Sequence, residues 1–324
     1  MPTIKDVARK AGVTVTTVSR VLNNRGYISE ATRKKVYKAM EELNYQPNEL
    51  ARSLYRKKSY LIGLLIPNVS HPFFAELTSY IEYYAYQEGY KILLCNSEQD
   101  NNKEREYINM LKRHQVDAII IGSHTLEAEQ YLNMKLPIVA IDRYYPNIPY
   151  VASDNYKGGL LATKLLIQKG CKKIAHISGP LILNTPANNR YKAFKEVAIQ
   201  ENVEYFVVET KLNRFEIEEY KQIVRDLFKE HPDIDGIFAS SDLIAVSVIS
   251  VAKELNKKIP QDLKIVGYDD INVANLVVPS LTTIRQPIKE IARKAIELVL
   301  HQIDGKKVEK ESILPITLIE RETT

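Results

Sequence analysis

The chain has 324 residues, 45% of them hydrophobic and 26% charged, with a formal net charge of +5. That length exceeds one typical core and implies two or three domains of an ordinary soluble composition. The two cysteines, Cys95 and Cys171, lie far apart, the N-terminus carries no apolar signal core, and no apolar run approaches the roughly 20 residues of a membrane span, which excludes a disulfide framework, a Cys-rich zinc site, secretion and membrane embedding, and points to a reducing cytoplasm.

The charge is unevenly placed. Residues 1–58 hold 13 Lys+Arg against 5 Asp+Glu, whereas the remainder holds 32 against 35. A basic head on a mildly acidic body fits phosphate-backbone binding by the head alone. The head is patterned rather than a mere charged tail. Thr3 with Asp6 forms a capping signal, and Ile4, Val7, Ala8 and Ala11 repeat at helical spacing. Gly12 stands where a helix C-terminus needs a left-handed residue, and Thr14 offers its hydroxyl as the cap of a second helix. In that helix Val18, Val21 and Leu22 share one face. Val15, Thr16, Thr17, Ser19, Arg20 and Asn23 are left outward, a dressing suited to a DNA major groove, where Arg bonds guanine and Thr contacts base edges. A plain solvated hairpin is the competing reading at this point. Ser29 caps a third helix whose Val36, Met40 and Leu43 close a three-helix core.

The runs TIKDVARKAGVTVTTVSRVLNN and ISEATRKKVYKAMEELNYQPNELARSL resemble the lactose-repressor/galactose-repressor (LacI/GalR) family of bacterial transcription regulators, and the resemblance extends over essentially the whole chain. It implies an operator-contacting set of Thr3, Thr14, Val15, Thr16, Thr17, Ser19, Arg20, Asn23, Tyr45, Asn48, Ala51, Arg52 and Leu54.

Pro47 stops helical continuation and Asn48 can cap a new start, so Glu49 to Leu54 reads as a helix of one or two turns. A helix shorter than about 12 residues is marginal in water and orders only when DNA or a partner copy holds it. The resemblance implies paired hinge helices in the minor groove, with Leu54 wedged between base pairs, and the neighbouring Arg52, Arg56, Lys57 and Lys58 suit that place. Packing of Leu54 on the body is the alternative.

From Tyr60 onward, apolar runs alternate with amphipathic segments: YLIGLLIP, KILLCN, VDAIIIG, PIVAID, KIAHIS, YFVVE, GIFAS and KIVGYD. This is the pattern of parallel sheets covered by helices on both faces, and about eight such units call for two similar subdomains. The expected fold is therefore an all-α helix-turn-helix head plus an α/β body. The resemblance makes that body two doubly wound parallel-sheet lobes of periplasmic-binding-protein type. The expected domains are a head at 1–46, a hinge helix and linker at 47–59, and an effector-binding and dimerisation body at 60–324. One lobe would span about 60–156 plus 286–314 and the other about 157–285 plus 315–324.

Ligands of open α/β sheets sit beyond the carboxyl ends of the strands. There the sequence is polar: Ser70-His71-Pro72-Phe73-Phe74, Asp142-Arg143, Asp154, Ser240-Ser241-Asp242 and Asp269-Asp270, with Asn188, Asn189 and Arg190 opening a helix. Carboxylates, amides and Arg beside aromatic walls match a polyhydroxylated ligand, since each hydroxyl both donates and accepts. The resemblance implies effector contacts at Phe73, Phe74, Asp142, Arg143, Asp154, Arg190, Phe215, Ser241 and Asp269. One of the two adjacent phenylalanines is expected to pack inward, Asp242 to cap the helix from Leu243, and Asp270 likewise to cap. Ser241 stands where several relatives have Asn. The segment AIDRYYPNIPYVASDN resembles the sucrose-operon repressors of the family, which makes a fructose-containing sugar or its phosphate the first expectation. A phosphate on Arg143 and Arg190, or a nucleobase on the aromatics, stays open.

No GxGxxG, P-loop or HExxH is present, and Asp269-Asp270 has no third ligand nearby in sequence, so no cofactor, metal or catalysis is expected. One short reading helix covers too few bases for specificity, hence a homodimer on a palindromic operator. Its interface is expected on Phe73 to Tyr86, with Tyr80, Tyr83 and Tyr84, and on Ser241 to Leu255. A C-terminus directly after the last strand favours a dimer over a tetramer. Sugar binding between the lobes would shift them and release the operator, an induction mechanism taken from the family; a corepressor or partner protein is the alternative.

Overall fold

The computed structural model describes residues 2–46, 58–98, 100–122, 131, 134–211 and 216–324. The expected hinge helix at 49–54, with Asn48, Ala51, Arg52 and Leu54, and also Phe215, lie outside the described residues. The chain divides into two compact units, one ending at Tyr60 and the other spanning Leu61–Thr324.

The first unit holds α1 (Ile4–Ala11), α2 (Val15–Leu22) and α3 (Glu30–Glu42). Each start is fixed by a side chain. The Thr3 hydroxyl accepts from the Asp6 N–H while the Asp6 carboxylate accepts from the Thr3 N–H, a reciprocal box. Thr14 accepts from the Thr17 N–H and Ser29 from the Thr32 N–H. Gly12 ends α1 at φ +66°, where a side chain would be strained. The core is Val7, Ala8, Val18, Val21, Val36 and Ala39, with Met40, Leu43 and Tyr45 packed around it.

The second unit begins with β1 (Leu61–Ile66), α4 (Pro72–Gln87), β2 (Lys91–Asn96), α5 (Asn101–Arg113), β3 (Ala118–Ile121), β4 (Ile138–Ile141) and β5 (Tyr150–Ser153). It continues with α6 (Asn155–Gln168), β6 (Lys173–Ser178), α7 (Asn188–Gln200), β7 (Glu204–Glu209), α8 (Ile217–Glu230), β8 (Gly236–Ala239), α9 (Asp242–Glu254) and β9 (Lys264–Asp269). The last elements are α10 (Val273–Leu276), β10 (Thr282–Arg285), α11 (Ile288–Ile303), β11 (Glu311–Leu314) and β12 (Thr317–Ile319). Two six-stranded sheets result, in the orders β2-β1-β3-β4-β5-β11 and β7-β6-β8-β9-β10-β12. Central strands such as β3 and β8 are apolar and buried on both faces, which is why they read as unbroken hydrophobic runs.

Every pairing in the first sheet is parallel. The second has one antiparallel edge, β12 against β10. That strand reaches its sheet directly from β11 of the other lobe, without a helical crossover, and so runs against its neighbour. The chain crosses between the lobes three times, after β5, after β10 and after β11. In both sheets the strand order reverses next to the first strand, between β1 and β3 and between β6 and β8, and such a reversal opens a crevice at the carboxyl ends.

Helices α6 and α7 pack closely because α6 carries Gly159. A Cβ there would come within 2.4 Å of the Arg190 carbonyl oxygen and 2.8 Å of its Cα. Gly159→Ala gains about 1 kcal/mol of helix propensity, but it forces two backbones apart, an overpacking cost of about 1–3 kcal/mol. The expected net result is a lower urea midpoint for the variant; an unchanged or higher midpoint would show that the helices separate freely.

Candidate functional site

In the first unit α2 presents an exposed strip. Val15 is 39% exposed, Thr16 and Arg20 are exposed, and Thr17, Ser19 and Asn23 are half-buried. Thr3 and Thr14 are exposed at the ends of the same motif. Two members of the expected set are committed locally: the Thr14 hydroxyl caps α2, and the Asn23 amide donates to the Ser19 carbonyl at 2.9 Å. Tyr45 is half-buried against the three-helix core.

In the second unit a cavity of about 190 Å³ opens between the two sheets' carboxyl ends. It gathers Phe73, Phe74, Asp142, Arg143, Arg190, Ser241 and Asp269 from the expected set, with His71, Ser178, Thr210, Lys211, Tyr220 and Gln286 among its further walls. Each piece has a local cause. His71 precedes Pro72, the first residue of α4, so the two phenylalanines start that helix. Phe73 packs into the core at 7% exposure while Phe74 stays half-buried, its ring edge-on to Phe73 at 5.2 Å. Burial pulls the His71 imidazole down to about 4, which keeps it neutral at physiological pH. Asp142 follows β4 at φ +52°, and Arg143 donates from Nη1 to the Asp142 carbonyl at 2.9 Å.

Arg190 is 6% exposed and firmly held. Its Nε donates to Asn155 Oδ1 at 2.7 Å, its Nη1 to the Ser240 carbonyl at 2.8 Å, and its guanidinium lies 3.5 Å over the Tyr268 ring. Asp269 is 5% exposed and accepts from Gln286 Nε2 at 2.7 Å. Burial pushes its carboxyl up to about 7; Arg190 and the Gln286 hydrogen bond oppose this, and Asp142 adds to it. Asp269 and Asp270 both take positive φ, +114° and +58°, so the carboxylates leave the strand end in a turn that few side chains adopt.

Three expectations are corrected. Asp154 does not line this cavity: its carboxylate accepts from the Lys157 N–H at 3.0 Å, because α6 begins at the next residue and its first N–H groups need an acceptor. Asp242 does not cap α9. Ser241 does, accepting from the Ile244 N–H, while fully buried Asp242 accepts from the Ile271 N–H at 2.9 Å and the Thr283 hydroxyl at 2.5 Å. Burial and neighbouring Asp269 raise the Asp242 carboxyl well above the usual carboxylate range. Asp270 caps nothing either; it takes Arg285 and Arg321, each at 2.6 Å.

Ser178, Thr210 and Lys211 were legible in principle, since they stand at or just after the carboxyl ends of β6 and β7, where the same rule that picked Asp142 applies. Gln286 follows β10, a short Thr-rich strand that does not stand out as an apolar run. Tyr220 is buried in the first turn of α8 and carries no signal distinguishing it from any other core aromatic.

A helix-turn-helix unit with an outward Arg/Thr face, joined to a two-lobed crevice of carboxylates and guanidinium groups, is the build of a ligand-responsive DNA-binding regulator. Residues 3–48 match the model of the bacterial regulatory proteins, lacI family, and residues 163–324 match a periplasmic binding protein-like domain. The chain is 46% identical to the ribose operon repressor of Halalkalibacterium halodurans, covering 100% of this chain and 97% of the relative. It is 44% identical to the sucrose operon repressor of Streptococcus mutans, covering 99% and 98%. Among solved structures, a periplasmic binding protein/LacI transcriptional regulator from Alkaliphilus metalliredigens complexed with D-xylulofuranose has a TM-score of 0.75 at 38% identity, covering 82% of this chain and 99% of that one. The lac repressor dimer bound to operator and the anti-inducer ONPF has a TM-score of 0.88 at 25% identity, covering 99% and 98%. The chain belongs to the lacI family of bacterial regulatory proteins.

Asp269 also gives the body a pH signature. Its folded carboxyl holds a proton more tightly than the unfolded one, whose ordinary value is 3.8. The stability this confers is complete below about pH 4 and is lost as pH rises through about 7. Urea titrations across that window are expected to show a flatter decline for Asp269→Asn than for the wild type; parallel slopes would place the titration elsewhere.

Proposed function

We propose that this protein is a transcriptional repressor of a sugar-utilisation operon. It binds a palindromic operator as a homodimer through its helix-turn-helix heads, and a neutral monosaccharide able to adopt a five-membered ring releases it. The observation that carries this reading is the cleft itself, in which Asp142 and Asp269 face Arg190 in about 190 Å³. Carboxylates accept from sugar hydroxyls and guanidinium donates to them, so the set suits a polyol. The volume falls below the roughly 300 Å³ at which pockets for larger ligands begin, which favours one ring over two.

Several of the sugars named for the relatives can supply a five-membered ring. Ribose can close to a furanose, sucrose carries a fructofuranosyl ring, and the xylulofuranose complex holds such a ring directly. Buried Asp269 and half-buried Asp142 work against a dianionic phosphate, and Arg190 already has its Nε and Nη1 engaged. A free sugar is therefore preferred to its phosphate, and a D-ribose-like pentose to intact sucrose. The protein works in the cytoplasm, where its operator is, and performs no chemistry on its ligand. Among the described residues no helix is long and apolar enough to cross a membrane.

Dimerisation is assigned to the body helices. On α4 Tyr83 is 53% and Tyr86 68% exposed, while Tyr80 and Tyr84 pack inward on the first sheet. Operator release follows if the sugar binds more tightly to the lobe arrangement that separates the two heads, since equal affinity for both arrangements shifts nothing.

Two measurements test the proposal. Thermal-shift and calorimetric titration with D-ribose, D-xylulose, D-fructose, sucrose and their phosphates is expected to pick a free monosaccharide; binding of phosphates alone would overturn the ligand class. In gel shifts with DNA flanking the protein's own gene, Arg20→Ala is expected to lose operator preference by about 1–3 kcal/mol while keeping its salt-dependent affinity for random duplex. A uniform loss across all sequences would remove Arg20 from base reading.

A further inference from the structure

One buried amide joins the two halves of the cleft without lining it. Asn155 is the first residue of α6, two positions beyond the end of β5, in the first of the three crossing segments, and it is 2% exposed. Its Nδ2 donates to Asp142 Oδ1 at 3.2 Å and to the Ser153 carbonyl at 3.0 Å. Its Oδ1 accepts from Arg190 Nε at 2.7 Å and from the Tyr268 hydroxyl at 3.3 Å. The amide therefore has one orientation. Turned over, its oxygen would face two acceptors and its NH₂ the Arg190 Nε–H, which cannot accept.

The partners lie on different lobes. Asp142 directly follows β4 of the first sheet, whereas Arg190 sits on α7 beside the second. A second crossing segment repeats the arrangement: Gln286, just after β10, donates to Asp269 and accepts from the Ser153 hydroxyl at 2.6 Å. We infer that Asn155 is a positioning residue for the effector, fixing the spacing and direction of Asp142 and Arg190 from the two ends of a single side chain, so that a sugar meets both already aligned. The inference rests on the sugar reading above. Pre-alignment matters because groups that must be ordered at the moment of binding subtract that cost from affinity.

Asn155→Asp discriminates alignment from mere packing. It keeps the size and the acceptor for Arg190 and Tyr268, but sets a carboxylate against Asp142. Two carboxylates in contact titrate as a pair, and at lower pH they share a proton that restores a donor toward Asp142. The other titratable or charged groups around this amide's partners are Arg143, Asp269, Tyr268 and buried His176. Because Asp269 titrates in the wild type as well, the quantity to follow is the ratio of variant to wild-type affinity at each pH.

The experiment is calorimetric titration of D-ribose and D-xylulose into the full-length chain from about pH 5.5 to 8, with Asn155→Leu as a second variant lacking both ends of the amide. Wild type is expected to bind. Asn155→Asp is expected to bind about tenfold to a hundredfold more weakly at pH 8 and to close most of that gap at pH 5.5, whereas Asn155→Leu stays weak throughout. Variants that bind like wild type, or an Asn155→Asp ratio that does not change with pH, overturn the inference while leaving the sugar reading intact. A wild type that binds neither of these sugars nor D-fructose sinks the sugar reading, and the inference with it.

Discussion

The body is organised around ionisable groups taken out of water where its lobes meet. Asp142, Arg190 and Asp269 face one small cleft, and Asp242 is fully buried behind it. Each ion removed from water costs several kcal/mol unless hydrogen-bond partners are already in place. The surrounding architecture supplies them: the carboxyl ends of the strands bring the charged residues in, and the crossing segments bring the amides that pair with them. The turn after β9 shows how far this goes. Asp269 and Asp270 both occupy left-handed backbone, an arrangement that costs of order 1–3 kcal/mol per residue unless the surroundings enforce it. Here Asp242 holds the Ile271 N–H, and Asp270 is clamped between Arg285 and Arg321. The turn is thereby fixed before any ligand arrives.

The head solves a different problem with simpler means. Among the described residues its core has six buried side chains, none larger than valine, so the hydrophobic term alone is small. Hydroxyl caps on three consecutive helices and a left-handed glycine compensate by satisfying backbone groups that would otherwise face water. With its basic residues kept on the surface, the head is built to meet phosphate, while the acidic surplus remains with the body.

Much of this was legible from residue order, for identifiable reasons. The three head helices announce themselves through Thr3, Gly12, Thr14 and Ser29, whose roles are local and depend on neighbours three residues away. The apolar runs marked eight of the strands, since a central strand buried on both faces must be apolar throughout and the edge strands β2 and β7 are still largely apolar. The polar residues at the carboxyl ends of β4 and β9 pointed to Asp142 and Asp269 because the ends of parallel strands define the crevice. What escaped depended on tertiary partners. Whether an aspartate at a strand-to-helix junction caps the helix, as Asp154 does, or turns inward, as Asp242 does, is settled by Thr283 and the Ile271 N–H, some 29 to 41 residues away. Gln286 and Asn155 looked like ordinary polar residues, and only the convergence of two crossing segments gives them their place. The antiparallel course of β12 likewise follows from the route the chain takes between lobes, which local periodicity does not encode.

The triple crossing also bears on how the chain is made. Neither lobe is a continuous stretch: the first sheet lacks its β11 edge, and the helix α11 that covers β3, β4 and β5, until residues beyond 287 have emerged. The second sheet is completed by β12, and Thr323 then closes over β9 by donating to the Ile265 carbonyl. A ribosome releasing this protein N-terminus first therefore exposes a nearly finished but incompletely covered apolar sheet from the emergence of β5 until that of α11, a window in which chaperone protection matters more than for a protein whose domains are sequential.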